Sequence, residues 1–318
     1  MVDAVLADFA ACPECHVVTT RDPQLGPLQP GGIETIPASS PDEERRLFAK
    51  LAADSDATFL IAPETGGILS DRRRLIDEVA GRCLGCSAAA IDLCTSKLAV
   101  AKMLGRHGIA TIGTARCRAD GREQAFPFPV VVKPDDGAGS LNTRLVADER
   151  MMAELLAGFE DRSDSTNLVV QPFVSGTPFS VAAVIDSARD ECVVFPPVLQ
   201  KLSSDGQFRY MGGAAPYSFG ALGRNAIDDL VGTVRTAIPG LSGYVGIDMI
   251  QPTVSSQDPI VVEINPRLTT SYLGYRALTD ERLAERLLNR QRLPPQVRWE
   301  PRSVEFTPDG GVTLQGLS

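Results

Sequence analysis

Apolar positions recur along this chain in two spacings that alternate from one segment to the next. In SPDEERRLFAKLAADS, residues 40–55, apolar side chains return at helical spacing behind Ser40, whose hydroxyl can cap a first turn, so a helix is predicted there. A shorter helix is predicted over residues 2–11, a strand over CHVVTT at 15–20, and a buried strand over ATFLIAP at 57–63. Helical spacing returns in SDRRRLIDEVAGRC at 70–83 and continues through CSAAAIDLCTS to KLAVAKMLGRHG at 97–108, where Gly108 supplies the stop. FPFPVVVKP at 126–134 reads as a strand entering the turn DDGAGS, and ADERMMAELLAGFED at 147–161 as a helix.

The rest is strand-rich. NLVVQPFVSG, FSVAAVID, ECVVFPPVLQKLS, YVGIDMIQPT and PIVVEINP read as strands, with RNAIDDLVGTVRTAI and TDERLAERLLNRQ as helices among them. SVEFTPDGGVTLQG at 303–316 is a hairpin signal, because Asp309, Gly310 and Gly311 suit the positive φ angles of a tight turn. This order predicts an α/β chain with α+β lobes and no internal repeat. An N-terminal α/β unit is expected at 1–90, a larger unit at 91–290 and a hairpin tail at 291–318.

Composition narrows the class. With 318 residues, 43% hydrophobic and 22% charged, the chain is globular and large enough for two or three packed lobes. No apolar run approaches the ~20 residues of a membrane-spanning helix, and MVDAVLADFAACPE lacks the basic start of a signal peptide. A cytoplasmic location with no membrane partner is therefore expected. Net charge is −9 and the basic residues are scattered, apart from Arg72, Arg73 and Arg74, which read as a solvated helix face; no nucleic-acid partner is expected.

The seven cysteines, an odd number, suggest reduced thiols. Cys12 and Cys15 with Cys83 and Cys86 make a four-thiolate zinc set if the fold brings the two pairs together. CPECH, ending at His16, matches a haem-attachment pattern that requires export. The other reading is that all of these, with Cys94, Cys117 and Cys192, are small apolar fillers.

Two strands carry the sharpest chemistry. YVGIDMI holds Asp248, and IVVEINPR holds Glu263 and Asn265, which strand alternation places on one face. An antiparallel pairing brings Asp248 beside them, giving three hard oxygen-bearing side chains of the kind that suits Mg²⁺. The competing reading is a strand edge that simply ends at Asn265–Pro266. Carboxylates among apolar neighbours favour the metal site, because they are costly unless paired or liganded. VVVKPDDGAGS at 130–140 delivers Lys133 and then Gly137, Gly139 and Ser140, whose backbone N–H groups can approach phosphates; an ordinary hairpin fits the same residues. It is not a P-loop, since its glycines follow the lysine.

Taken in order, these motifs resemble the ATP-grasp superfamily over residues 91 to about 275. Asp92 with Lys97, then Lys133 before its glycine loop, then VVQPFVSG, then the metal acids fall in the family's sequence. The resemblance implies an ATP-grasp fold, with a smaller nucleotide lobe at about 91–170, a larger metal lobe at about 171–290 and a small α/β unit before them. It implies ATP and Mg²⁺ as cofactors, with Mn²⁺ as the alternative ion. Gln171, Pro172, Phe173 and Val174 are then expected to cup adenine, although the family usually carries Glu where Gln171 stands and an acid near Pro178. Lys201 is expected to be a third phosphate-facing lysine, with a surface lysine as the other reading. Arg267 resembles the arginine that stabilises a transferred phosphoryl group. Thr269, Thr270 and Ser271 offer donors for a substrate carboxylate.

Further stretches, APETGG, LGCSAAAIDLCTSK and YMGGAAP, resemble the tyramine–glutamate ligase-like group, which includes enzymes of methanofuran biosynthesis. That implies carboxylate and amine substrates joined through an acylphosphate, with no protein nucleophile and no catalytic role for His16 or His107. Glu64, at the end of a predicted strand, is expected either to pair with a substrate ammonium or to serve as a turn residue. Tyr210, Gly212 and Gly213 are expected to line an acceptor pocket. The family begins with a strand and a glycine turn, whereas this chain opens almost directly into a helix, so contacts from that first turn are expected to be missing. Other carboxylate–amine ligases, such as dipeptide or D-alanine–D-alanine-like enzymes, and an ATP-binding regulatory module remain open, as does a homodimer.

Overall fold

The computed structural model describes residues 1–13, 15–26, 28, 32–117, 125–137, 139–158, 167–218, 224–253, 258–288, 294 and 296–316. The chain opens with α1 (Val2–Ala10), then a parallel pair, β1 (Val18–Arg21) and β2 (Glu34–Pro37). Helix α2 (Pro41–Asp54) starts where the Ser40 hydroxyl accepts the Glu43 N–H, and Pro41 fills the first turn, where an N–H has no helical partner anyway. Helices α3 (Ile68–Glu78), α4 (Ala88–Thr95) and α5 (Lys97–Arg106) follow. The Ser87 and Ser96 hydroxyls cap α4 and α5 separately, so α5 starts afresh at Lys97.

Residues 57–63 differ from the predicted strand. Their only sheet-like pairing among the described residues is one bridge from Thr58 to Cys83. Alternation survives without a ladder: Phe59 and Ile61 pack on one core, Leu60 and Ala62 on another. Strand β2 went unread because its Glu34-Thr35 start is exposed and polar.

The next elements build a small lobe: β3 (Ala115–Arg116), β4 (Val130–Pro134), β5 (Arg144–Val146), α6 (Glu149–Ala157) and β6 (Leu168–Pro172). Its antiparallel sheet runs in the order β3-β6-β4-β5. Val130, Val132, Val146, Leu168 and Val170 bury one face against Met152 of α6. Alternation leaves Val131, Lys133 and Gln171 on the other face, with Val131 directly opposite Gln171.

The large lobe adds β7 (Gly176–Asp186), β8 (Glu191–Val194), β9 (Val198–Leu202), β10 (Tyr210–Ala215), α7 (Arg224–Ala237), β11 (Gly243–Pro252), β12 (Ile260–Asn265), α8 (Tyr272–Ala277), α9 (Leu283–Leu288), β13 (Arg302–Phe306) and β14 (Val312–Gly316). Their sheet runs β12-β11-β7-β9-β10-β13-β14, with β8 also on β7. Phe179, Val181, Ala183 and Ile185 of β7, with Val245, Ile247 and Met249 of β11, pack one face on α4, α5 and α7. On the opposite face Ala182, Val184 and Tyr244 join the core under α1, α8 and α9. Ser180 and Asp248 share that second face but lie beyond the core, in a cavity facing the small lobe.

The hairpin β13–β14 extends the large sheet through β10 instead of forming a separate tail. That pairing corrects the expectation for Gly212 and Gly213. A Cβ on Gly213 would lie 2.7 Å from the Phe306 ring, and one on Gly212, at φ +122, would collide with the Phe306 carbonyl. These glycines admit Phe306 to the core, and neither lines the cavity.

The cysteine pairs stay apart from any metal set. Among the described residues no three His, Cys, Asp or Glu side chains converge to hold an ion. The Cys12 thiol donates to the Asp8 carbonyl and the Cys86 thiol to the Ser242 carbonyl; burial pushes both up to about 12, so both are protonated fillers. No helix among the described residues is long and apolar enough to cross a membrane.

Candidate active site

A cavity of about 440 Å³ lies between the two sheets. Its polar floor is set by strand register. Asp248 on β11 sits directly opposite Glu263 on β12, and Gly246 opposite Asn265, so all three oxygen-bearing side chains share one face. The register shifts just beyond, where Met249 pairs with Val261, and the bulge turns both Val262 and Glu263 to the cavity. Asp248 accepts from Asn265 Nδ2 at 3.0 Å and from Gln200 Nε2 at 2.9 Å. Burial and the like charge of Glu263 push the Asp248 carboxyl up to about 7.

Two buried lysines face these acids. Lys97, at the start of α5, donates to the Gly137 carbonyl at 2.6 Å and the Asp135 carbonyl at 3.3 Å, and lies 3.6 Å from Glu263 Oε1. Asp135 holds this corner together: its carboxylate accepts from the Ser96 hydroxyl and the Leu98 N–H. Lys133 projects from β4; burial and the nearby Lys97 charge lower it to about 8. Gly139 and Ser140 follow at φ +65 and +63, both lining the cavity.

The apolar end of the cavity lies under the small lobe. Ile112 and Val131 face Ile250 and Val262 across it, and the linker before Ile112 is tied to β12 by Val261 N–H to Ala110 O at 2.9 Å. Gln171, Pro172, Phe173 and Val174 form its rim, with Phe173 stacked on Phe208 at 6.2 Å. The Gln171 amide donates to Thr114 Oγ1 at 2.8 Å, which leaves its carbonyl oxygen as the side chain's acceptor.

At the other end stand Arg267, Thr269, Thr270, Ser271 and Tyr210. Thr269, Ser271 and the buried Tyr244 form a ring of hydroxyls at 2.7 to 3.1 Å. Three hydroxyls in a closed ring each donate once, so Thr269 and Ser271 have no spare donor while the ring is intact. Thr270 is outside the ring.

Together these features have the chemistry that suits a phosphorylated ligand: an apolar slot, two lysines and a glycine loop, then hard oxygens and an arginine. A match to the ATP-grasp domain model covers residues 94–271, and a match to the pre ATP-grasp 3 domain model covers 15–91. The chain belongs to the ATP-grasp family. It is 27% identical to the tyramine–L-glutamate ligase of Methanocaldococcus jannaschii over 97% of this chain and 87% of that one. It is 34% identical to the D-alanine–D-alanine ligase of Pediococcus pentosaceus over 27% of this chain and 22% of that one. Among solved structures, L-amino acid ligase from Bacillus licheniformis superposes with a TM-score of 0.71 at 15% identity, covering 91% of this chain and 73% of that one. N5-carboxyaminoimidazole synthetase from Staphylococcus aureus complexed with ADP gives 0.67 at 16% identity, covering 86% and 70%. The chain is thus an ATP-grasp ligase of the carboxylate–amine kind, with a pre-ATP-grasp unit in front.

Most residues read from the motifs come together in this one cavity; besides the glycines of β10, Lys201, Glu64 and Asp92 do not. Lys201 points away: β9 turns Gln200 and Leu202 inward, and Lys201 pairs on the outer side with Glu305 at 2.8 Å. Glu64 does not line the cavity; it stands behind Arg267 and accepts its Nε–H at 2.6 Å. Asp92 faces out and pairs with Arg74. Asp135 and Gln200 were missed. Asp135 looks like a turn former beside Pro134, and Gln200 could be found only by choosing the right phase for β9.

The donor set fits a hard divalent cation. It consists of two opposed carboxylates and an amide, and the repulsion that raises Asp248 is what a bound cation would offset.

Proposed function

We propose that this protein joins the side-chain carboxylate of glutamate to an amine such as tyramine, using ATP, in the making of a methanofuran-type cofactor. The observation that carries the reading is the convergence of Lys97, Lys133, Arg267 and the Asp248–Glu263 pair on one cavity. Tyramine–L-glutamate ligase relatives that align along most of the chain support the choice of substrates.

Adenine would lie in the apolar slot between Ile112, Val131, Ile250 and Val262, its exocyclic amine donating to the Pro172 carbonyl and the Gln171 amide oxygen. Lys97, Lys133 and the N–H groups of the loop at 137–140 would hold the phosphates. Asp248, Glu263 and Asn265 would hold Mg²⁺, or Mn²⁺ in its place; when bound, the ion neutralises charge on the phosphate oxygens. The substrate carboxylate attacks the γ-phosphorus, ADP leaves, and an acylphosphate remains. The amine then attacks the acyl carbon, the C–O bond to phosphate breaks, and phosphate leaves with the amide formed. The amine loses one proton to solvent. Arg267 would stabilise the oxygens of the phosphoryl group in flight. Tyr210 and Thr270 stand where the acid and amine would meet. No protein nucleophile is required, and the reading places the enzyme in the cytoplasm.

The test is ADP release, with amide detected by mass spectrometry, for glutamate paired with tyramine and a panel of amines. Glutamate-dependent amide formation is expected. Turnover with D-alanine or other amino-acid pairs but none with glutamate would replace this reading by a dipeptide ligase.

A further inference from the structure

Arg267 sits in the cavity wall, yet it is held from outside that wall. Its Nε–H donates to Glu64 at 2.6 Å and its Nη1–H to the Leu268 carbonyl at 3.0 Å. Glu64 is 6% exposed and comes from the first ninety residues, whereas Lys97, Lys133, Asp248 and Glu263 all lie beyond them. Its backbone is held by hydrogen bonds on either side. Glu64 heads a tight turn in which Gly66 and Gly67 take φ +65 and +72, the Gly67 N–H reaches the Glu64 carbonyl at 3.1 Å, and the Leu69 N–H reaches the Pro63 carbonyl at 3.0 Å. A side chain at either glycine would be strained there.

The pairing matters because Arg267 has competing partners. Its charge is felt at Asp248, and Glu263 lies directly opposite Asp248. A guanidinium released from Glu64 could turn to those carboxylates and occupy oxygens that a metal ion needs. Held by Glu64 and Leu268, it keeps Nη2 and the second Nη1 proton for the cavity.

We infer that Glu64 is a positioning residue for phosphoryl transfer: it fixes the Arg267 guanidinium towards the phosphoryl position and keeps it off the Asp248–Glu263 pair, without touching substrate. A fork already oriented needs no reorganisation when charge spreads in the transition state, which is why the effect falls on kcat. The inference rests on the ligase reading for its reaction but not for its contact.

Glu64→Gln keeps the shape and removes the charge; Glu64→Asp keeps the charge and shortens the reach. With whichever acid–amine pair turns over, Glu64→Gln is expected to lower kcat roughly 10- to 100-fold with each KM within about threefold. Glu64→Asp should recover part of the loss, and Arg267→Ala should cost far less in the Glu64→Gln background than in the wild type. Unchanged kcat, or a rise confined to the KM of one substrate, would overturn the inference. If Glu64→Gln fails to fold, Glu64→Asp and the Arg267→Ala pairing with it carry the same comparison. A second arm needs no substrate. In ¹⁵N-arginine NMR of the ligand-free protein, the Arg267 Nε–H, assigned by its loss in Arg267→Lys, should exchange slowly and shift in the Glu64 variants. A fast-exchanging signal indifferent to Glu64 would refute the pairing even if glutamate and tyramine prove to be the wrong substrates.

Discussion

Lys97 Nζ bridges the Gly137 carbonyl at 2.6 Å and Glu263 Oε1 at 3.6 Å, so one buried side chain ties the glycine loop of the small lobe to an acid on the cavity floor of the large one. Its hydrogen bonds go to the loop carbonyls of Asp135 and Gly137. A phosphate would have to draw it away, which couples nucleotide binding to the position of the loop. Lys97→Met is therefore expected to cut kcat/KM for ATP by roughly 10²- to 10³-fold and to increase protease cleavage near Gly137. Steady-state kinetics and limited proteolysis check both.

Lys133 gives a pH dependence of definite sign. Its folded value of about 8 lies below the ordinary 10.5, so between those values the unfolded chain binds more protons than the folded one. Ligand-free stability should rise with pH across that window. Below pH 8 the buried charge is a full burden, and Lys133→Met should stabilise the ligand-free protein by roughly 1–3 kcal/mol while abolishing ATP binding. Denaturant titrations at pH 7 and 9.5 test the first part. Calorimetry of ATP binding at pH 9 in buffers of different ionisation enthalpy should reveal proton uptake.

Gln200 and Lys201 are neighbours with opposite fates. Gln200 supports Asp248, so Gln200→Leu should raise the Mg²⁺ concentration needed for half-maximal rate by roughly 10-fold or more. Lys201 forms a half-exposed pair with Glu305 worth roughly 0–1 kcal/mol, and Lys201→Ala should leave rate and Mg²⁺ dependence within about twofold. Equal effects in the two variants would mean that the register of β9 differs.

Asp8 is a buried keystone between the ends of the chain. Its carboxylate accepts from the Tyr272 hydroxyl at 2.5 Å and the Ala284 N–H at 2.9 Å, with Arg276 3.2 Å away. Burial nonetheless raises its pKa. Tyr272 follows Ser271 directly, so α1 anchors the helix behind the hydroxyl ring. Asp8→Ala leaves a buried hydroxyl and an N–H without their partner and removes the carboxylate beside Arg276, and should cost roughly 2–4 kcal/mol by denaturant melts.

The acidic floor of the cavity was legible in the sequence because it is local: alternation aligns Glu263 with Asn265, and antiparallel pairing of two adjacent strands supplies Asp248. Lys97, Lys133 and the rim at 171–174 were legible for the same reason, since each sits at an element end that its own residues define. What escaped depends on partners far along the chain. Gln200 meets Asp248 and Lys201 meets Glu305, both far beyond β9, and Gly212 and Gly213 serve Phe306, about ninety residues later in the chain. Glu64 was open to two readings, a substrate partner or a turn residue; it does head a turn, and only the folded chain brings Arg267 in front of it. The strand expected at 57–63 lacks a ladder because strandness needs neighbours as well as an apolar run.

The most direct test follows oxygen. Glutamate carrying ¹⁸O in its side-chain carboxylate is incubated with ATP, Mg²⁺ and the amine that gives fastest turnover, and the phosphate released is examined by ³¹P NMR or mass spectrometry. An acylphosphate route passes one carboxylate oxygen to phosphate, so one ¹⁸O per phosphate is expected, with ADP as the nucleotide product. Amide formed with unlabelled phosphate, or with AMP and pyrophosphate released, would contradict it.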